Sequence, residues 1–343
     1  MSRTSPTCRM SSETRMTRMT RMTHTARGSR TDTISSRQTV SRATEPVNRQ
    51  VTPPGPPERA VAMRLRRLAP IVALPMLLGS LAAAPLSAQL ESAGEGPVAM
   101  GHLHVNTADA EASLRFWSEL LGGEPKRLGP LEVVALPDLL VVLTRREPSA
   151  GSVGSSVNHV GVQVPDVAAL VERLRAAGVP VRTGEHVPTP DVDVFEVPDQ
   201  EPRVAFVDSP EGTRVELFEN RALERPVENH HLHFFVDDPI AARDWYVERF
   251  GAVARRRGSF ESADLPGVNL TFSQGETVGT EGRAIDHIGF EVDDLEGLVE
   301  RLEASGVVFT RPLTRIDALG LAFAFFTDPW GTYVELTEGL DAL

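Results

Sequence analysis

One short phrase restricts this chain more than its composition does. "HLHVNTAD" at residues 102–109 returns 129 positions later as "HLHFFVDD" at 231–238, and "HVGVQVPD" at 159–166 and "HIGFEVDD" at 287–294 complete a set of four. In every copy a histidine stands seven residues before an aspartate. Such a repeat marks one supersecondary unit used four times. The alternating Val, Ile, Leu and Phe predict a strand, and Asp109, Asp166, Asp238 and Asp294 fit as caps that accept from the free amides of a first helical turn. Leu170, Val171 and Leu174 make the buried stripe of the second helix; Leu295, Leu298, Val299 and Leu302 make that of the fourth. Gly122, Gly178, Gly251 and Gly306 stand where each helix should end in a left-handed residue. Strand-like runs follow: "LEVVAL" and "LLVVLT"; "VPVRT", "VFEV" and "RVAFV"; "AVARRR" and "VNLTF"; "VVFTR", "LAFAFF" and "YVELT". The fold class expected is therefore α+β, four βαβββ units, two in residues 99–222 and two in 227–343, with "RALERPVEN" between them.

The chain before these repeats reads differently. Residues 1–62 hold eleven Arg, no Lys and the run "TRMTRMTRMT", so they are expected to be disordered. "MRLRRLAPIVALPMLLGSLAAAPLSAQ" then has three arginines, an apolar stretch and small residues at Ser87 and Ala88, the pattern of a signal peptide over 63–88. The expectation is a product that starts at Met63, with 1–62 an over-extended start, and that is periplasmic or secreted. A basic tail before an uncleaved anchor is the alternative; Pro70, Pro75 and Gly79 interrupt a stretch already short for a membrane span. From Gln89 onward 43 acidic side chains face 21 basic ones, which excludes nucleic acid and stable association with an anionic membrane after cleavage. The sole cysteine is Cys8, so the exported part has no disulfide and no thiolate ligand. Any metal must be held by histidine and carboxylate.

Six of the nine histidines, His102, His104, His159, His231, His233 and His287, fall on the first strands. Residues i and i+2 of a strand share a face, so His102 points with His104, and His231 with His233. Glu216 and Glu335 each follow a turn glycine by four residues inside the apolar strands "RVELF" and "YVELT", where an unsatisfied carboxylate is costly. Tyr333 shares the face of Glu335. Core histidines satisfied by their neighbours, and a solvent-facing Glu, remain the alternative account of these residues.

Together with "FW" and "WY" on the first and third helices and the endings "DSPEGTRVELFE" and "DPWGTYVELTE", the units resemble the vicinal oxygen chelate superfamily, which includes glyoxalase I, extradiol dioxygenases, and fosfomycin and bleomycin resistance proteins. The likeness covers nearly all of residues 99–340. It implies two tandem modules with cup-shaped mixed sheets, and metal ligands at the first-strand His and last-strand Glu. These are His102, His159 and Glu216 in the first half, and His231, His287 and Glu335 in the second. Two imidazoles and one carboxylate leave about three positions open and suit Fe(II), with Mn(II) or Zn(II) as alternatives. The glyoxalase pattern takes a further Glu from the end of the first unit; here Val142 and Asn269 lie near that position, and neither is a base. The resemblance therefore implies an exported metal-dependent enzyme acting on a small oxygenated molecule, with extradiol-like chemistry ahead of a glyoxalase-like isomerase or lyase. A non-catalytic resistance-type binder is the other reading. His104 and His233 are candidates for an acid/base pair or hydrogen-bond donors beside the metal, and Tyr333 for a donor to an oxygenated ligand. The oligomeric state and the active half stay open, although Trp330, Tyr333 and Glu335 cluster in the second half. The insertion "PTPDVDVFEVPDQEP" could cover the first pocket or be a solvated loop. Equally open is whether cups form within each half or pair unit one with four and two with three, which would mix the ligand sets.

Overall fold

The computed structural model describes residues 90–92, 96–197 and 202–342. The basic start (1–62) and the signal segment (63–88) lie outside the described residues. Among those described, no helix is long and apolar enough to cross a membrane.

Each repeat folds as expected into a strand, a helix and three strands. The first is β1 (Ala99–Thr107), α1 (Ala110–Arg115) running on into a π-helical turn, β2 (Glu124–Leu128), β3 (Leu131–Leu136) and β4 (Leu139–Arg145). The second is β5 (Val157–Val164), α2 (Val167–Ala176), the two-residue β6 (Phe195–Glu196), β7 (Arg203–Asp208) and β8 (Arg214–Glu219). The third is β9 (Glu228–Val236), α3 (Pro239–Phe250), β10 (Val253–Arg257), β11 (Phe260–Leu265) and β12 (Val268–Gln274). The fourth is β13 (Ile285–Glu291), α4 (Leu295–Ala304), β14 (Phe309–Ile316), β15 (Leu321–Thr327) and β16 (Tyr333–Glu338). All four aspartates cap their helices through the side chain, and all four stop glycines have positive φ.

Two strands escaped the sequence reading. β2 ("EPKRL") and β11 ("FESADL") carry little apolar alternation, β2 because it is an exposed sheet edge and β11 because only part of it is buried. "VPVRT" was expected as a strand and contributes only a single bridge, Val181 to Val207, before a 3-10 turn. Phe195 and Glu196 of the acidic insertion pair with β7, and Asp193 before them is held by a Thr183 Oγ1 hydrogen bond to its carbonyl and an ion pair with Arg175.

The strands form two mixed eight-stranded sheets, ordered β14-β15-β16-β13-β1-β4-β3-β2 and β10-β11-β12-β9-β5-β8-β7-β6. Unit one thus joins unit four through the antiparallel β1–β13 pair, and unit two joins unit three through β5–β9. Alternation along the central strands then separates two environments. Leu103, Val105, Leu232 and Phe234 enter one continuous apolar core shared with the helices, while the histidines between them face the concave side. Buried polar contacts cross between the sheets' units. Ser113 Oγ and Trp117 Nε1 in and after α1 donate to Glu211 in the turn of unit two, at 2.7 and 3.1 Å. Tyr246 Oη on α3 donates to Asp328 in the turn of unit four at 2.9 Å.

Candidate metal centres

The strand pairing decides which side chains meet. His102 and His104 on β1, His287 on β13 and Glu335 on β16 bring one ligand atom each within 4.8 Å of one another. His159 on β5, Glu216 on β8, and His231 and His233 on β9 do the same in the other sheet. Grouping the residues by halves of the chain is thereby overturned: His102 lies with Glu335, not Glu216, and His231 lies with Glu216, not Glu335. The reason is the central β1–β13 and β5–β9 pairing, which closes each cup from one unit of each half.

Within the first cup, His102 Nε2 and His287 Nε2 both lie 2.9 Å from the same Glu335 oxygen. In the second, His159 Nε2 and His231 Nε2 lie 3.2 and 3.0 Å from one oxygen of Glu216. Two imidazoles converging on one carboxylate oxygen is the donor set a divalent cation takes. The fit is supported by His231 Nε2, which is buried and has no partner of good hydrogen-bond geometry although Glu216 is near.

β-Bulges orient two of these rings. On β13 and β5 a register shift leaves one extra residue immediately before the histidine, Asp286 and Asn158. Strict alternation would send both to the opposite face; the bulge turns them back. Asp286 Oδ1 lies 2.7 Å from His287 Nδ1, and Asn158 Oδ1 lies 3.0 Å from His159 Nδ1. Asp286 is itself held by Asn106 Nδ2 and the Gly282 amide, each at 2.9 Å. Such partners set the tautomer of a ligating histidine. Neither residue was singled out from sequence, where the only signal is the polar letter before the histidine in "DHIGF" and "NHVGV". A further bulge on β9 brings His230 beside its neighbour, its Nδ1 3.0 Å from His231 Nδ1 and its ring stacked on Phe218.

A cavity of about 470 Å³ opens over the first cluster, lined by His102, His104, His287 and Glu335 on one side and by Phe323, Phe325 and Tyr333 on another. Tyr333 stacks on Phe325 and meets His287 edge-on. Trp330 lies elsewhere, donating to Asp237 near Trp245. Around the second cluster the space holds Phe206 edge-on to His159, His186 stacked on Phe206 and in contact with Arg214, and Phe260 edge-on to His233.

The sequence profile of the glyoxalase/bleomycin resistance protein/dioxygenase superfamily matches residues 99–217 and 228–336. The chain belongs to this superfamily. Among curated proteins it is 26% identical over 211 residues to a probable chloroplastic lactoylglutathione lyase of Arabidopsis thaliana, covering 56% of this chain and 55% of that one. This chain thus spans about half the length of that relative. Among solved structures, glyoxalase I of Zea mays superposes with a TM-score of 0.57 at 17% identity, over 73% of this chain and 95% of the maize one. A putative dioxygenase of Bacillus subtilis superposes at 0.54 with 14% identity, over 71% and 85%. At these identities the likeness is one of fold.

Register places the missing carboxylate of the glyoxalase pattern. Glu335 and Glu216 sit opposite Gly289 and Gly161, two residues beyond the first-strand histidine. The matching positions are Val142, opposite His104, and Thr271, opposite His233. Val142 stands as expected; in the third unit the residue is Thr271, and Asn269 lies two residues earlier, opposite His231.

Electrostatics differ between the cups. Burial pushes His231 down to about 4 and holds His233 well below its ordinary value, so the second cup presents these histidines neutral. Burial also opposes charge on His287, but the hydrogen bonds it donates to the Asp286 and Glu335 carboxylates outweigh it and raise its pKa. A cation entering the first cup must displace that proton. Uptake there at pH 6.5, below the raised His287 value, should release a proton, and affinity should weaken by up to about tenfold per pH unit as pH falls through that value. Calorimetric titration in buffers of different ionisation enthalpy measures this; uptake at the first cup without proton release at pH 6.5 would contradict it.

Proposed function

We propose that this chain is a metal-dependent enzyme acting on a small oxygenated molecule in the first cup, with extradiol-dioxygenase-like chemistry favoured. The observation that carries the reading is the His102, His287 and Glu335 cluster at the wall of a cavity of about 470 Å³, a size suited to a small ligand. A divalent cation, Fe(II) by preference and Mn(II) or Zn(II) otherwise, would supply Lewis-acid polarisation of two vicinal oxygens and, as iron, the redox capacity for ring cleavage by dioxygen.

The chain's own residues do the rest. Asp286 holds the His287 ring with its Nε2 toward Glu335. Phe323, Phe325 and the ring of Tyr333 give the cavity aromatic walls that suit a planar substrate, and the Tyr333 hydroxyl would donate to a substrate oxygen. Arg146 and Arg311 also line the cavity, but Glu281, Asp286 and Glu335 line it with them, Arg146 lies 4.0 Å from Asp286 and Arg311 sits over the Phe325 ring, so the lining as a whole does not select for substrate charge.

The lyase reading has its own support in the Arabidopsis relative. Against it stands Val142, which offers no carboxylate where the glyoxalase pattern has its base. We further propose that the substrate is met after export, as the Met63–Ala88 pattern suggests. The test is anaerobic reconstitution of the purified protein with Fe(II), followed by oxygen uptake and ring-cleavage absorbance over a panel of catechols, beside a methylglyoxal–thiol adduct with Zn(II) and Ni(II). Oxygen-dependent cleavage of a catechol is expected. Turnover of the adduct alone moves the assignment to a lyase, and tight binding without turnover in any metal form moves it to a binder.

A further inference from the structure

We propose that His104 supplies a fourth ligand to the first cup and His233 a fourth to the second, so that each cup holds its cation with three imidazoles and one carboxylate. This rests on the metal-centre reading above and changes the assignment of both residues from acid/base groups to ligands.

Three observations converge. A ring nitrogen of each falls inside its four-residue cluster, where all the ligand atoms lie within 4.8 Å of one another. The register makes each histidine the substitute for a missing carboxylate. In the Glu-bearing units the first strand has glycine opposite the glutamate, Gly289 to Glu335 and Gly161 to Glu216. In the other two units the last strand has Val142 or Thr271, and the first strand has His104 or His233 opposite it. Residues paired across neighbouring strands point from the same face. A donor lost from one strand is therefore replaced from the strand beside it, in both cups. Finally, both histidines have the outer support a ligating imidazole needs. His104 Nε2 lies 2.6 Å from Thr144 Oγ1, and His233 Nε2 lies 2.8 Å from Ser273 Oγ, each hydroxyl two residues beyond the carboxylate-free position. The other ring nitrogen is then left to bind the cation.

A cation held by His102, His104, His287 and Glu335 would keep fewer open positions than one held by three protein ligands and would still supply Lewis-acid polarisation to a small oxygenated substrate.

The test loads the full chain with Co(II) alone and counts hyperfine-shifted, exchangeable imidazole N–H resonances by NMR, with Co(II) affinity measured by competition. The unaltered chain should show six, and His104→Ala and His233→Ala should each lose one, with affinity at the altered cup falling at least about a hundredfold. His104→Gly combined with Val142→Glu, which recreates the Gly289–Glu335 arrangement, should recover most of the lost affinity. Four resonances in the unaltered chain, unchanged in number in either single variant, would overturn the proposal while leaving two-histidine centres in place. An absence of Co(II) uptake by the unaltered chain would remove the metal reading itself. If the swapped variant does not fold, His104→Gln, which keeps a polar side chain at that position, decides by the same count.

Discussion

A chain carrying both His102→Ala and Glu335→Ala should still take up one metal ion, whereas His102→Ala combined with Glu216→Ala should take up none. Each single change removes a donor from one cup, and because even outer partners of a metal ligand cost about 10- to 100-fold in affinity, loss of a ligand should empty that cup at micromolar metal. His102 and Glu335 share a cup, so the second change finds nothing left to remove; His102 and Glu216 belong to different cups, so their effects add. Grouping by halves of the chain requires the opposite pair of results. Metal per chain after dialysis, measured by plasma mass spectrometry on variants checked by circular dichroism, separates the two. One ion in the His102/Glu216 variant together with none in the His102/Glu335 variant would refute the cross-half cups.

A single methyl group should have a comparable effect. A Cβ built on Gly289 comes within 2.0–2.5 Å of three ring atoms of His102, and one built on Gly161 within 1.9–2.8 Å of three ring atoms of His231. Neither histidine has room to retreat, His231 being fully buried and His102 nearly so. Gly289→Ala should therefore turn His102 out of the first cup or push β13 away from β1, at a cost of about 1–3 kcal/mol in stability. Metal at the first cup should be lost and the second left loaded; Gly161→Ala should do the reverse. Urea denaturation and metal content on the same samples test both halves of the expectation, and a Gly289→Ala protein that keeps two ions and its stability would show that the ring is not so confined. The two glycines thus have the same purpose as the histidines, since the "H-x-G" strands yield the space that the histidine of the facing strand occupies.

Much of this was legible before any coordinates. The four Asp caps, the four glycine stops and the helix stripes are relations across three or four residues, and such local chemistry holds wherever the unit is placed. Alternation likewise put His102 with His104, and His231 with His233, on one face. It failed at Asp286, Asn158 and His230, because a bulge inserts a residue without leaving a mark in the pattern of apolar letters. It also misplaced the third unit's carboxylate position by two residues, since the register of β12 against β9 is set by pairing and not by sequence spacing.

The sequence by itself determined the repeating unit and the superfamily, and it singled out six candidate ligand residues. Their division into two centres came only with the tertiary structure. His102 and Glu335 are 233 residues apart, and nothing local joins them. They meet because β1 lies against β13, a choice made by the whole of two apolar sheet faces seeking cover from the helices, with Glu211 and Asp328 locking α1 and α3 to the turns of other units. Four similar units could close into cups in more than one way with the same strands and the same caps. The difference in free energy lies in contacts between distant segments, which a local pattern does not contain.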